Sequence, residues 1–253
     1  MYAQKLRLRK EERAMKLRDL VHLCVLGCGT YGRVNLVRHR ATRQCYAMKM
    51  ISKSKIIQSG NQPQLKDEIL TMQKLDHPFI INCPKAFGDR RFVYILMESI
   101  MGGELHTYIY EQEDYRLPED HARFYIAQLV KVLQHMNEHR VVHRDIKLEN
   151  LMLDTRGYLR LVDFGFAKEL KVGEKTYTFC GTPTYLAPEL ILHEGHALEV
   201  DLWAMGVVCY EMLYGQSPFV AENESALFSA IVKEAPKFPR QQQVSRDAEE
   251  FMK

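Results

Sequence analysis

The sequence predicts an α+β chain in two parts, a small β-rich lobe followed by a larger, mainly helical one. Three observations carry this. Short β-rich segments fill residues 21–51, and another covers 92–99. A glycine pair, Gly102-Gly103, then ends the strand texture. Beyond it, residues 121–139 and 198–215 read as long helices.

The elements follow in chain order. VHLCVLG, ending in glycine, RVNLVRH and QCYAMKMI are rich in β-branched and aromatic residues and read as three strands. In residues 64–75, Leu65, Ile69, Met72 and Leu75 recur at helical spacing. FVYILMES (92–99) is a continuous apolar run, as expected of a buried strand. Residues 121–139 hold no glycine or proline, and 198–215 are mostly apolar, so the second helix is expected to be buried. The expected organisation is a basic helix or linker over 1–19 and one domain over 20–253. That domain divides into an N-lobe (20–98), a hinge (98–103) and a C-lobe (104–253).

Composition bounds the function. The 253 residues are 46% hydrophobic and 26% charged, the balance of a globular chain that can offset its conformational entropy. A net charge of +3 is too small for a dedicated nucleic-acid binder. No apolar run reaches the about 18 residues of a membrane span, and the start lacks the apolar core of a secretory signal. A cytoplasmic location is therefore expected. The six cysteines, Cys24, Cys28, Cys45, Cys83, Cys180 and Cys209, form no CxxC pair, so reduced thiols and no cysteine-built zinc site are expected. Residues 1–19 carry seven Lys/Arg against three Asp/Glu, a solvated helix or a patch for an acidic partner or membrane surface.

Gly27-Cys28-Gly29-Thr30-Tyr31-Gly32-Arg33-Val34 has GxGxxGxV spacing. A dinucleotide fingerprint would open a helix, whereas here a strand-like segment follows. A glycine-rich strand–turn–strand lets backbone amides approach phosphate oxygens. Lys49 sits in an apolar strand, where an unpaired charge is costly. Glu68, on the helix over 64–75, would satisfy it and aim the ammonium at a phosphate. His143-Arg144-Asp145-Ile146-Lys147-Leu148-Glu149-Asn150 crowds polar groups between apolar runs, and Asp163-Phe164-Gly165 follows. These read either as turns with capping carboxylates or as a reaction centre. In the second reading Asp145 accepts a hydroxyl proton while Asn150 and Asp163 hold Mg²⁺, which prefers oxygen ligands.

GCGTYGRV, AMK, Glu68, HRDIKLEN, DFG and Ala187-Pro188-Glu189, in that order, resemble the eukaryotic protein kinase signature across roughly residues 20–253. VDFGFAK, TYTFCGTPTYLAPELIL and VDLWAMGVVCYEM resemble the cyclic-nucleotide-dependent kinases of the AGC group. GGELHTYI and GYLRLVDFGFAKEL are more similar to the cGMP-dependent than to the cAMP-dependent kind. The resemblance implies a two-lobed kinase-like fold with an antiparallel sheet in the N-lobe, and ATP with Mg²⁺ as cofactors. It implies Ser/Thr acceptors in basic stretches of protein substrates.

The resemblance also implies roles. Leu26, Gly27, Gly29, Gly32 and Val34 would cover the phosphates, and Lys49, paired with Glu68, would contact them. Ala47, Met97 as gatekeeper, Glu98, Ile100, Glu104 near the ribose and Met152 would complete the ATP site. Asp145 would be the catalytic base, Lys147 would neutralise the transferring phosphoryl group, and Asn150 and Asp163 would be metal ligands. Thr178 would be the activating phosphosite, modified by an upstream kinase, with Arg144 and Lys168 as its cationic partners. Glu104, Glu149 and Glu211 would receive substrate arginines; Phe179, Pro183 and Leu186 would seat the residue after the acceptor.

Several positions depart from the family pattern. Leu148 replaces a usual proline, His143 a tyrosine, and Thr184 an acidic residue that helps read distant arginines. Pro84 falls where a strand is expected. The sequence closes on EEFMK inside an expected helix, so a C-terminally incomplete domain is expected. In that case Glu189, expected to be substantially buried, lacks its family arginine partner. This sets up a rival reading, a weak or inactive kinase-fold scaffold; a nicotinamide-dependent oxidoreductase would rest on GxGxxG alone. His193-Glu194-Gly195-His196 reads as a loop, not a zinc site. Met72, Cys83, His143 and Phe164 read as an internal stack, and Glu111–Asp114 as a solvated acidic loop.

Overall fold

The computed structural model describes residues 12, 14–29, 32–239 and 244–253. Of the basic helix or linker expected over 1–19, residues 1–11 and 13 lie outside these residues, as do Thr30 and Tyr31 of the glycine-rich segment. The chain divides into two compact units, Met1–Met101 and Gly102–Lys253.

The first unit is built on a five-stranded antiparallel sheet of order β1-β2-β3-β5-β4. Its strands are β1 (Leu20–Gly29), β2 (Gly32–His39), β3 (Cys45–Ser52), β4 (Lys85–Gly88) and β5 (Phe92–Glu98). Alternation along β3 sends Tyr46 and Met48 to one face, where they pack with Met15, Val37, Tyr94 and Leu96. The opposite face carries Ala47, Lys49 and Ile51. Helix α1 (Lys53–Ser59) is capped by Ser52 and closed by Gly60 at φ 70°. Helix α2 (Gln62–Lys74) buries Glu68, Thr71 and Met72. Pro84 stands immediately before β4, an edge strand, where a missing N–H costs no ladder bond.

The second unit is mainly helical. Helix α3 (Leu105–Tyr110) precedes the long α4 (Glu119–Glu138), which begins after Pro118 with Glu119 and Asp120 favourably placed in its first turn. One stripe of α4, including Ala122, Ile126, Leu129, Val132, Leu133 and Met136, is buried. Short helix α5 (Pro188–Ile191) is followed by α6 (Glu199–Tyr214). As expected, α6 is buried over most of its surface, and it packs against α4. Two small antiparallel pairs, β6 (Val141–Val142) with β9 (Lys168–Glu169) and β7 (Leu151–Leu153) with β8 (Leu159–Leu161), carry the loops of the candidate site. Helices α7 (Glu224–Lys233) and α8 (Arg246–Phe251) follow. Ser245 ties the last of these to the start of α4, giving its N–H and hydroxyl to the Glu119 carboxylate at 2.8 Å each. One expectation is corrected here. Glu189, in the first turn of the four-residue α5, is half-buried rather than fully enclosed. Among the described residues, no helix is long and apolar enough to cross a membrane.

Candidate active site

The first unit aligns several of the expected nucleotide-binding residues through strand register. Gly27 pairs with Val34 and Val34 with Lys49, forming one cross-strand row; Ala47 pairs with Met97 in another. Gly29 pairs with Gly32 at the hairpin end. Gly32 is dictated by packing: a Cβ there would fall 1.7 Å from the Met50 carbonyl oxygen. Leu26 is 51% exposed, while Val34, Met97, Glu98 and Ile100 are half-buried. Lys49 Nζ donates to Glu68 Oε1 at 2.6 Å, the strand-to-helix pair expected from the sequence. Glu68 is buried, so the pair meets the requirement that a desolvated carboxylate be compensated.

The residues expected to be catalytic or metal-binding belong to the second unit. After β6 the chain turns through Arg144 at φ 66°, a left-handed conformation unfavourable for a side chain of this size. Asp201, in the first turn of α6, clasps the turn. Its Oδ2 accepts the His143 N–H at 2.7 Å and its Oδ1 the Arg144 N–H at 2.8 Å. Burial pushes the Asp201 carboxyl up, opposed by neighbouring His143 and by these two donors. Burial likewise pushes the His143 imidazole down, favouring its neutral form. Its ring meets Phe164 edge-on at 4.9 Å, fixing half of the expected stack; Met72 and Cys83 are buried in the first unit.

The clasped turn delivers Asp145, which is only 7% exposed. Thr182 donates its hydroxyl to Asp145 Oδ1 at 2.7 Å. Lys147 Nζ lies 3.0 Å from Asp145 Oδ2 and donates to Thr182 Oγ1 at 2.7 Å. Asn150 Nδ2 donates to the Asp145 carbonyl at 2.8 Å and to Oδ2 at 3.0 Å. The amide nitrogen of Asn150 is thereby committed to Asp145. Val162 N–H donates to the Asn150 carbonyl at 2.9 Å, bringing the Asp163 segment alongside. Asp163, exposed and at φ 56°, accepts the Gly165 N–H through Oδ1 at 3.2 Å. Glu104 is exposed and forms a bridge with Met152, both expected at the ATP site.

Two of the expected substrate carboxylates meet. Glu149 and Glu211 line one cleft of about 150 Å³ with His106, Thr184, Tyr185 and Ser217; Glu104 does not line it. Tyr185 donates its hydroxyl to Glu211 Oε2 at 2.5 Å. Burial pushes the Glu211 carboxyl up to about 7, with the Glu149 charge adding to the rise. The expected apolar seat divides: Phe179 and Pro183 are exposed, whereas Leu186 is 3% exposed in a core with Val142, Leu190 and Val200. Leu186 therefore supports this surface from beneath.

Thr178 is exposed. Its expected partners make other contacts, Arg144 Nε with the Phe166 carbonyl at 2.7 Å and Lys168 Nζ with Thr176 Oγ1 at 3.2 Å. Both cations act on His196, which burial, Arg144 and Lys168 together hold down at about 4. Sequence reasoning missed Asp201, Thr182 and Thr176. Asp201 gave no distinct signal, because a carboxylate in the first turn of a helix already has a local explanation.

Residues 20–253 match the protein kinase domain. The chain is 38% identical over 250 residues to a cGMP-dependent protein kinase, isozyme 2, of Drosophila melanogaster, covering 98% of this chain and 26% of that protein. It is 36% identical over 235 residues to human cGMP-dependent protein kinase 2, covering 93% of this chain and 31% of that protein. It is 39% identical over 225 residues to the mouse cAMP-dependent protein kinase catalytic subunit PRKX, covering 89% of this chain and 62% of that protein. The chain thus spans about a quarter of the length of its fly relative and about a third of its human one. By sequence match and by fold, the chain belongs to the protein kinase family, in the AGC group with the cyclic-nucleotide-dependent serine/threonine kinases.

Proposed function

We propose that the chain transfers the γ-phosphoryl group of ATP to serine or threonine hydroxyls in basic protein segments. The observation that carries this is the Asp145 cluster: a buried carboxylate held by Thr182, Lys147 and Asn150. Asp145 accepts the acceptor hydroxyl's proton. Lys147 offsets charge on the moving phosphoryl group, and Lys49, steadied by Glu68, orients the nucleotide phosphates. Catalysis of this kind is positioning and electrostatic stabilisation.

The donor set at Asn150 and Asp163 fits Mg²⁺. With the Asn150 nitrogen bonded to Asp145, both residues offer only oxygen. Bound there, Mg²⁺ supplies neutralisation of phosphate charge. Glu149 and Glu211 in one cleft support selection of arginine-bearing substrates. The convergence of Arg144 and Lys168 near the activation segment supports activation by an upstream kinase at Thr178, since a dianionic phosphate would pair with them. The free cysteines support a reducing, cytoplasmic setting. The test is phosphate transfer from ATP–Mg²⁺ to basic, acidic and proline-directed peptides. Preferential labelling of the basic set is expected; equal labelling, or none, overturns the proposal.

A further inference from the structure

Helix α4 ends on His135-Met136-Asn137-Glu138-His139, just before the active-site strand β6. Spacings of three and four residues put His135, Glu138 and His139 on one face. One potential ligand atom from each residue lies within 4.8 Å of the other two. The two imidazole rings are 4.3 Å apart between centroids and inclined by 45°. Nδ1 of His139 lies 2.8 Å from the His135 carbonyl oxygen. A carbonyl only accepts, so Nδ1 carries the proton and Nε2 carries the lone pair in the neutral ring. A ligating histidine oriented through its other nitrogen by a backbone carbonyl is a recurring support of metal centres. His135 and His139 are half-buried, with Nε2 of His135 itself enclosed, and Glu138 is exposed, so the group is held from within and open on its Glu138 side.

We propose that His135, Glu138 and His139 bind one divalent transition-metal ion of the zinc class. Two imidazoles and a carboxylate form a known three-ligand zinc set, with a fourth position for water. Imidazole nitrogen disfavours Mg²⁺ and Ca²⁺, which take oxygen ligands. The site is separate from Asn150 and Asp163 and uses no cysteine. A cation is also favoured at a helix C-terminus, where carbonyl oxygens collect negative charge. The ion would fix the turn that follows, where Arg140 stands at φ 58° and its carbonyl accepts the Leu170 N–H at 2.8 Å. That turn leads directly into Val141–Val142 and the catalytic loop.

The test is calorimetric titration of the EDTA-treated, dialysed chain with ZnCl₂, repeated with Co²⁺ and read by visible absorption. One ion per chain is expected, and Mg²⁺ should not displace it. His139→Gln and Glu138→Gln should each weaken binding at least about tenfold, the scale on which even indirect supports of a metal act. Circular dichroism checks that the variants fold; because Glu138 is exposed, Glu138→Gln decides if His139→Gln does not fold. No binding by the unmodified chain overturns the proposal. So does binding unchanged by both substitutions, including binding abolished only by cysteine alkylation, which would place the metal on thiols.

Discussion

Replacing Asp201 with alanine should be among the most damaging single changes in the second unit. The carboxylate is 3% exposed and accepts two backbone N–H bonds, at 2.7 and 2.8 Å. Hydrogen bonds to a charged group contribute about 1.5–3 kcal/mol each. Losing both costs roughly 3–6 kcal/mol, a large share of the about 5–15 kcal/mol that holds a domain together. Asn would keep one acceptor and present an amide NH₂ donor to the other N–H, so its cost should be about half. At roughly 2–4 °C per kcal/mol for a domain of this size, Asp201→Ala should melt roughly 6–24 °C lower and Asp201→Asn roughly 3–12 °C lower. Activity should fall further than stability explains. The left-handed Arg144 loses its clasp, and Asp145 is the next residue. Differential scanning calorimetry and peptide phosphorylation well below both melting temperatures separate the two effects. An Asp201→Ala protein that melts within about 2 °C of the parent would refute the view that this clasp holds the catalytic turn.

Asp145→Asn should lower kcat by about 10²–10⁴ while leaving ATP binding intact, measured by steady-state kinetics and nucleotide thermal shift; unchanged kcat would remove Asp145 from the chemistry. Phosphorylation of Thr178 should raise turnover, so phosphatase treatment and Thr178→Ala should both lower it; equal activity in all three forms would dismiss the phosphosite. Glu211 gives a pH signature. Its carboxyl, held up at about 7 by burial, is mainly neutral below that pH and charged above it. The kcat/KM for arginine-bearing peptides should therefore rise between about pH 6 and about pH 8 relative to neutral peptides, and Glu211→Gln should flatten that difference. Parallel profiles for both peptide classes would exclude Glu211 from substrate binding.

What the sequence revealed divides along a physical line. Lys49 and Glu68 were legible because a charge inside an apolar strand demands a partner, and the next helix offered one. Helix α6 was legible as buried from its nearly unbroken apolar run. The two-residue strands β6 and β9 were not, since periodicity has no meaning over so short a span. Asp201 hid for another reason. A carboxylate in a first helical turn already has a local explanation, and its partners lie 57 and 58 residues away. Thr182 hid likewise, 37 residues from the carboxylate it supports. Leu186 was placed on the surface because an apolar residue in a loop gives no sign of which way it packs; neighbouring Ala187 and Leu190 take it into the core.

The catalytic loop owes little of its shape to its own sequence. Beyond the Asn150 bonds, its tethers run to Phe166, Thr182 and Asp201, spanning 22 to 58 residues. Long closures are entropically dear and form late, after the elements they join have docked. The loop therefore belongs to the same cooperative unit as α6. An isolated peptide covering 141–165 should show no trace of the turn. In hydrogen exchange, the amides of His143 and Arg144 should open together with the first turn of α6, not with the strands beside them. Disturbances at the surface of α6 would then reach the Asp145 carboxylate by loosening its foothold, without touching any bound molecule.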